Sequence, residues 1–227
     1  FNPLIVHLPD LAAVERIAIL GPNARDLAQA FWPGPLTLVL PLREGAGISP
    51  LVTAGLETVA IRVPAHPLAQ TLLRAFGGPV AAPSANPSGR ISPTRAAHVL
   101  DGLSTRIAAV LDGGPCAVGL ESTIVLPDPT PVLLRPGGIP VEAIEACLGR
   151  PLTLGEDGVK PTSPGQLASH YAPNATLRLN ATSAMPGEVL VGFGPVKGAL
   201  TLSDSGDLIE AAATLFHMLR EADRLAG

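Results

Sequence analysis

The side chains best suited to chemistry cluster in one stretch, TVAIRVPAHPLAQTLLRAFGGPVAAPSANPSGRISPT, at residues 58–94. It sets Arg62 inside an apolar run and follows a second apolar run with a turn that carries Ser84 and Asn86. A buried guanidinium without a partner is costly, so an acidic side chain or an anionic ligand must meet Arg62. Hydroxyl and amide groups beside backbone N–H groups near a helix start can hold phosphate. A purely structural Asx- and Ser-rich turn is the alternative for Ser84 and Asn86.

The charge around this stretch is positive, although the formal net charge of the chain is −4. Between residues 54 and 95, Glu57 is the single acidic residue, whereas four arginines occur there: Arg62, Arg74, Arg90 and Arg95. A locally positive, hydroxyl-rich segment in an acidic protein predicts a small anionic ligand.

Five further residues are candidates, and the first three have a structural alternative. His7 ends the first predicted strand, where a lone histidine is usually structural. Ser122 follows Glu121 at the start of another strand, and taken alone it is more typical of a turn. Arg135 precedes a Pro-Gly-Gly turn and could clamp phosphate or be solvated. His170 and Tyr171 stand in a linker-like region, and a linker that packs over a site would explain two ring side chains there.

Composition narrows the function classes. The chain is 47% hydrophobic and 15% charged, which is typical of a globular protein. Its 3% aromatic content and negative charge argue against a base-stacking or phosphate-gripping protein. The sequence holds no Ser/His/Asp hydrolase motif, Walker loop, GxGxxG or metal-ligand cluster, and nothing in it looks like a covalent nucleophile. Two distant cysteines, no signal peptide and no apolar run of membrane-spanning length predict a reduced, cytoplasmic protein without a membrane contact.

The apolar periodicity predicts alternating strands and helices, and therefore an α/β fold with ligands at strand ends. The predicted strands cover residues 4–8, 36–40, 58–63, 79–82, 107–111, 121–126, 131–135, 176–179, 189–192 and 199–202. The predicted helices cover residues 10–20, 24–31, 66–76, 92–100, 141–148 and 207–225, with Asp10 and Asn23 capping the first two. Residues 43–55 are predicted as a loop, and residues 121–135 as a hairpin.

A change to Gly, Pro and polar residues after residue 149 predicts a domain boundary. We expect a large domain at 1–150, a linker at 151–174 and a smaller, partial α/β domain at 175–227. Because the chain opens at Phe1 in an Asn-Pro turn, we expect it to be a fragment.

Several strings resemble the threonylcarbamoyl-AMP synthase family, whose YrdC-like domain is followed in the longer form by a smaller domain. The strings are NPLIVH at 2–7, WPGPLT at 32–37, VAIRVP at 59–64, APSANPSG at 82–89, SPT at 92–94, EST at 121–123, LRPGG at 134–138, SPG at 163–165 and HYAP at 170–173. They occur in order over essentially the whole chain.

The resemblance implies a YrdC-like twisted mixed sheet flanked by helices, then a linker and a partial Rossmann-like α/β domain. It implies synthesis of threonylcarbamoyl-AMP and pyrophosphate from L-threonine, bicarbonate and ATP, with Mg²⁺ on the triphosphate. The product would pass to a tRNA threonylcarbamoyl transferase. Implied threonine-binding residues are His7, Arg62, Ala82 and Ser122. Implied ATP-binding residues are Asn2, Thr58, Ser84, Ser92, Arg135 and His170 or Tyr171. Arg62, Ser84 and Asn86 would be catalytic, and no protein metal site is implied.

Two departures from the family pattern stand out. The family's N-terminal segment, with its basic pair for the triphosphate, is missing, so we expect the fragment alone to be nearly inactive. The linker reads QLAS at 166–169 where many relatives carry basic residues. Two alternatives stay open: an RNA-binding YrdC-like module, since the local arginines allow a weak tRNA or double-stranded RNA contact, and a carbamoyl-transfer domain of the hydrogenase-maturation type.

Overall fold

The computed structural model describes residues 3–155 and 171–226. The chain forms two compact units, the first made of Phe1–Pro83 with Glu121–Leu167 and the second of Ser84–Leu120 with Ala168–Gly227. The predicted linker at 151–174 falls largely outside the described residues. The domain limits at 150 and 174 therefore stay a prediction.

Within the described residues, the first unit is a seven-stranded mixed sheet with helices. Its strands are β1 (Ile5–His7), β2 (Leu36–Pro41), β3 (Thr58–Arg62), β4 (Val80–Ala81), β5 (Thr123–Leu126), β6 (Val132–Arg135) and β7 (Thr153–Leu154), in the order β4-β1-β3-β2-β5-β6-β7. Its helices are α1 (Leu11–Ile17), α2 (Pro22–Phe31), α3 (Pro50–Thr53), α4 (Pro67–Phe76) and α6 (Val141–Leu148). β1 and β3 are parallel, β3 and β2 antiparallel, β2 and β5 parallel, and β5 and β6 antiparallel. The predicted mixed α/β class and the 121–135 hairpin are confirmed.

Alternate residues of the central strands face opposite sides of this sheet. One side holds the main core, in which Leu38, Ile61 and Val125 pack with buried residues of α1, α2 and α6. The other side holds a small apolar cluster of Ile5, Val39, Ala60 and Ile124. We call this second side the site face, because the candidate threonine-binding residues His7, Arg62 and Ser122 share its parity along the strands.

Helix caps explain where two helices begin. The Asp10 carboxylate accepts a hydrogen bond from the Ala13 N–H at 2.8 Å, as predicted for α1. Asn23 does not cap α2: the helix begins earlier, at Pro22, whose missing N–H suits the first turn. The first N–H groups of α2 instead donate to a side chain of the turn between β5 and β6. The Asp128 carboxylate accepts from the Asn23 N–H (3.4 Å) and from the Ala24 N–H (3.1 Å).

The loop predicted at 43–55 contains a short helix that the sequence analysis missed. Helix α3 begins after Ser49, whose hydroxyl accepts from the Leu51 N–H, and Pro50 occupies its first position. Four residues are too few to show a helical apolar period, so the cap and the proline were its only signals.

The second unit contains α5 (Ala96–Leu103), β8 (Val191–Gly192), β9 (Leu200–Thr201) and α7 (Leu208–Ala226), with β8 and β9 parallel. Residues 107–111 and 176–179 were predicted as strands and are not. Short apolar runs form strands only where a neighbour completes the ladder, and within the described residues neither run is paired with a strand. Helix α5 begins at Ala96 rather than at Ser92, which leaves Ser92 in extended chain before the helix.

Candidate functional site

Strand pairing brings three candidate side chains into one row on the site face. His7 of β1 lies opposite Arg62 of β3, and Arg62 lies opposite Thr37 of β2. Side chains directly opposite each other on paired strands share a face and lie within contact range. Ser122 precedes β5, and its Oγ is 2.7 Å from Thr37 Oγ1. The row therefore runs from His7 through Arg62 and Thr37, on three neighbouring strands, to Ser122 just before β5.

The guanidinium of Arg62 is oriented by the Trp32–Pro35 turn. Its Nε donates to the Gly34 carbonyl at 3.0 Å, and the Gly34 N–H donates to the Val63 carbonyl at 2.8 Å. The turn is thus fastened to the same strand that carries Arg62. A guanidinium whose Nε is held keeps its planar fork in a defined direction, which suits a carboxylate.

His7 lies beside this arginine and is neutral near pH 7. Burial, together with the positive charge of Arg62, lowers the pKa of His7 from 6.5 to about 4. A neutral imidazole has one donor and one acceptor nitrogen, so His7 can hydrogen-bond an uncharged polar group without adding charge to the site.

Arg135 holds Ser122 from the other side. Its Nε and Nη2 donate to the Ser122 carbonyl at 3.0 and 2.8 Å, and Nη2 also donates to Ser122 Oγ at 3.0 Å. The Glu121 carboxylate is 3.7 Å away, and only 7% of Arg135 is exposed. The alternative of a solvated Arg135 is therefore wrong.

Gly137 completes the support of Ser122. A Cβ at this position would lie 2.4 Å from the Glu121 carbonyl oxygen and 2.6 Å from the Ser122 carbonyl carbon. The turn after Arg135 approaches the start of β5 so closely that only glycine fits. The Gly138 N–H donates to the Glu121 carbonyl at 2.8 Å and secures the approach.

Two more of the predicted residues lie in the first unit. Thr58 is on the site face at the far end of β3, four residues and about 13 Å from Arg62. Ala82 follows β4, and its N–H donates to the Ile5 carbonyl at 2.9 Å, beside the row. Asn2 lies outside the described residues.

The remaining predicted residues belong to the second unit. Ser84 is exposed, and Ser92 is buried in the extended chain before α5. The Asn86 amide nitrogen donates to the carbonyls of Pro87 (2.9 Å) and Arg90 (3.0 Å), and these hydrogen bonds stabilise the turn. Among the described residues, its Oδ1 is buried without a hydrogen-bond partner. The Tyr171 ring stacks on Phe216 with centroids 5.5 Å apart, and His170 lies outside the described residues.

Sequence reasoning missed Thr37 as a site residue. It appeared only inside the string WPGPLT, yet its side chain is fully buried beside Ser122 and opposite Arg62. Its polar character inside an apolar strand, at the parity of the site face, was the available signal.

Two family models match the chain. A family model named for Sua5, YciO and YrdC and described as "Telomere recombination" matches residues 1–137. A model of the C-terminal domain of threonylcarbamoyl-AMP synthase matches residues 139–227.

Individual relatives are similar over most of the chain. Threonylcarbamoyl-AMP synthase of Bacillus subtilis is 53% identical over 184 residues, which are 78% of this chain and 53% of that protein. The Pyrococcus abyssi enzyme of the same name is 45% identical over 180 residues, 77% of this chain and 52% of that protein. The crystal structure of P. abyssi Sua5 with L-threonine superposes with a TM-score of 0.85 at 38% identity, covering 98% of this chain and 72% of that one.

This chain spans about half the length of the curated relatives it matches. Within that span, the matched models and the row of site residues lead to one assignment. The chain belongs to the Sua5/YciO/YrdC family, in the form that carries the threonylcarbamoyl-AMP synthase C-terminal domain.

Proposed function

We propose that the protein containing this chain is an L-threonylcarbamoyladenylate synthase, which joins L-threonine, bicarbonate and ATP into threonylcarbamoyl-AMP and releases pyrophosphate. The observation that carries the proposal is the row of His7, Arg62, Thr37 and Ser122 on one sheet face. The names of the relatives and the P. abyssi structure with L-threonine support it.

In this proposal the row binds threonine. The Arg62 fork pairs with the threonine carboxylate, an interaction that is directional as well as ionic. Neutral His7 and Ser122 Oγ hydrogen-bond the other polar groups of the amino acid, with Ala82 beside them. Thr37 and Arg135 hold Ser122 in place.

The reaction needs no nucleophile from the protein. The threonine amine and bicarbonate form a carbamate with loss of water, and a carbamate oxygen attacks the α-phosphorus of ATP. The bond from that phosphorus to its bridging oxygen breaks, and pyrophosphate leaves with the electron pair. Catalysis of this kind is positioning and electrostatic stabilisation. We assign ATP to Asn2, Thr58, Ser84, Ser92, Arg135 and the His170–Tyr171 pair, with Asn86 beside Ser84.

Mg²⁺ is proposed to accompany ATP, since magnesium is commonly bound through substrate phosphates and few protein carboxylates. The part of the chain that the structure describes has no group of three or more His, Cys, Asp or Glu side chains able to hold a metal ion.

The product is proposed to pass to a tRNA threonylcarbamoyl transferase in the cytoplasm. Among the described residues, no helix is long and apolar enough to cross a membrane.

The test is pyrophosphate release from ATP by the intact protein, with and without threonine and bicarbonate. We expect release only with both, and a fall of about 100-fold in Arg62→Ala, a loss of about 2.7 kcal/mol. Arg74→Ala, an exposed arginine of α4, is the matched control and should keep its rate. Release that ignores threonine, or an unaffected Arg62→Ala, would overturn the proposal.

A further inference from the structure

The extended chain that carries Ser92 is tied to the C-terminal part of the second unit at several points. We call residues 89–98 the Ser92 segment. The Gly89 carbonyl accepts from the Ala172 N–H at 3.1 Å, and the Arg90 guanidinium donates to the Asn174 side-chain oxygen. The Arg220 guanidinium of α7 donates to the Ile91 carbonyl, directly beside Ser92. The segment is therefore shaped largely by residues distant in sequence.

Two histidines link the Ser92 segment to α7 through a series of hydrogen bonds whose donors and acceptors are fixed. The Thr94 N–H donates to His98 Nδ1 at 3.2 Å, and His98 Nε2 is 3.3 Å from His217 Nδ1 of α7. A backbone N–H can only donate, so the proton of neutral His98 lies on Nε2, which donates to His217. The two rings also stack, with centroids 5.4 Å apart. We call this chain of Thr94, His98 and His217 the histidine relay.

The relay requires both imidazoles to be neutral. A proton on His98 Nδ1 removes the acceptor for Thr94, and a proton on His217 Nδ1 sets two N–H groups against each other. The charged groups around the pair favour the neutral forms. Burial first, then Arg220, His217 and Arg95, lower the pKa of His98 against an opposing effect of Asp101. Burial, then Arg95, lower the pKa of His217 against Glu221.

We propose that His98 and His217 are positioning residues, whose relay, together with Arg220, holds the Ser92 segment on helix α7 and so sets the position of Ser92 for the nucleotide. The nucleotide part rests on the proposed function, whereas the attachment of the segment does not. Acidification releases the segment in steps, because protonation of either imidazole removes one hydrogen bond of the relay.

The test compares three variants of the intact protein. His217→Phe keeps a stacking ring but removes the acceptor. His217→Asn supplies an acceptor that does not titrate, and Arg224→Gln alters an exposed charge pair on the same helix.

In His217→Phe we expect faster deuterium exchange in peptides covering 89–98 and a KM for ATP raised about fivefold, which is the effect of losing one buried hydrogen bond. The KM for threonine should stay unchanged. His217→Asn and Arg224→Gln should stay close to the parent in exchange and in both KM values.

The pH dependence of the KM for ATP is a second readout, and a contact without a titratable group would not change it. The KM for ATP of the parent should rise as the pH falls below 6.5, because the pKa values of both histidines are lowered from that value, and His217→Asn should reduce that rise. Unchanged exchange at 89–98 in His217→Phe would overturn the attachment. Faster exchange with an unchanged KM for ATP would overturn the nucleotide part alone. If no variant and no parent released pyrophosphate with threonine, the proposed function would fail, and the exchange data would still decide the attachment.

Discussion

In the first unit, paired strands place His7, Arg62 and Thr37 in one row, whereas in the second unit side chains far apart in sequence hold the Ser92 segment on helix α7. The first arrangement is fixed by backbone hydrogen bonds of a sheet core. The second depends on isolated backbone bonds, such as that from Ala172 to Gly89, and on side-chain contacts, some of them titratable. The comparison predicts that the row is rigid and that the Ser92 segment responds to mutation and pH.

The largest expected effects that distinguish the two regions come from one glycine substitution in each unit. Gly137→Ala would bring a Cβ within 2.4 Å of the Glu121 carbonyl oxygen, and Gly119→Ala would bring one within 2.4 Å of the Ala213 carbonyl oxygen. Each should lower the free energy of unfolding by about 3 kcal/mol through overpacking. Gly137→Ala should also weaken threonine binding in calorimetry, and Gly119→Ala should instead speed deuterium exchange in α7. The opposite pattern would break the comparison.

The pH dependence of stability tests the environment of His7 in the first unit. The pKa of His7 is about 4 in the folded protein and 6.5 when unfolded, so between these values the unfolded chain binds more protons. The His7 contribution to stability is complete above pH 6.5 and is lost as the pH falls toward 4, by up to about 3 kcal/mol. Urea unfolding followed by Trp32 fluorescence at both pH values should show a smaller loss in His7→Gln. An equal loss in parent and variant would contradict the assignment.

Buried hydroxyls offer a smaller test. Thr37→Val removes a 2.7 Å hydrogen bond to Ser122 and should cost about 2 kcal/mol, with weaker threonine binding. Thr37→Ser keeps the hydroxyl and should recover most of the binding. Thr94→Val in the second unit should cost less, because the Thr94 N–H makes the shorter contact to His98 and the hydroxyl lies 3.4 Å away. Calorimetry with threonine and urea unfolding would rank the three variants.

The smallest expected effects come from two aspartates that do the same task in different units. Asp128 accepts from Asn23 and Ala24 N–H, and Asp223 accepts from Asn174 and Ala175 N–H at 2.8 and 2.9 Å. Each Asp→Ala change should cost about 1 kcal/mol, as for a lost cap. Asp223→Ala should speed exchange in the second unit alone. Faster exchange in the first unit as well would contradict this prediction.

Sequence periodicity was sufficient for most elements of the first unit. The strands β2, β3, β5 and β6 and the helices α4 and α6 lie where the apolar pattern predicts them. Their register was beyond the sequence, because which residue of β2 faces Arg62 depends on pairing between strands. Thr37 was missed for that reason.

The second unit was harder to predict for a related reason. His98 and His217 are 119 residues apart, and no local pattern links them. The apolar run at 107–111 has strand propensity, but propensity forms a strand only where a neighbour completes the ladder. The residue roles carried over from the family resemblance stay predictions, and the variants above test them one at a time.

The edges of the large sheet have a consequence for self-association. Both edge strands, β4 and β7, are only two residues long. An exposed strand edge is a template on which another chain can add a strand, and its danger grows with its length. Edge strands of two residues present too few unpaired N–H and C=O groups to pair stably with a strand of another molecule. This sheet can therefore keep an apolar, β-branched centre and still resist edge-to-edge aggregation at high concentration.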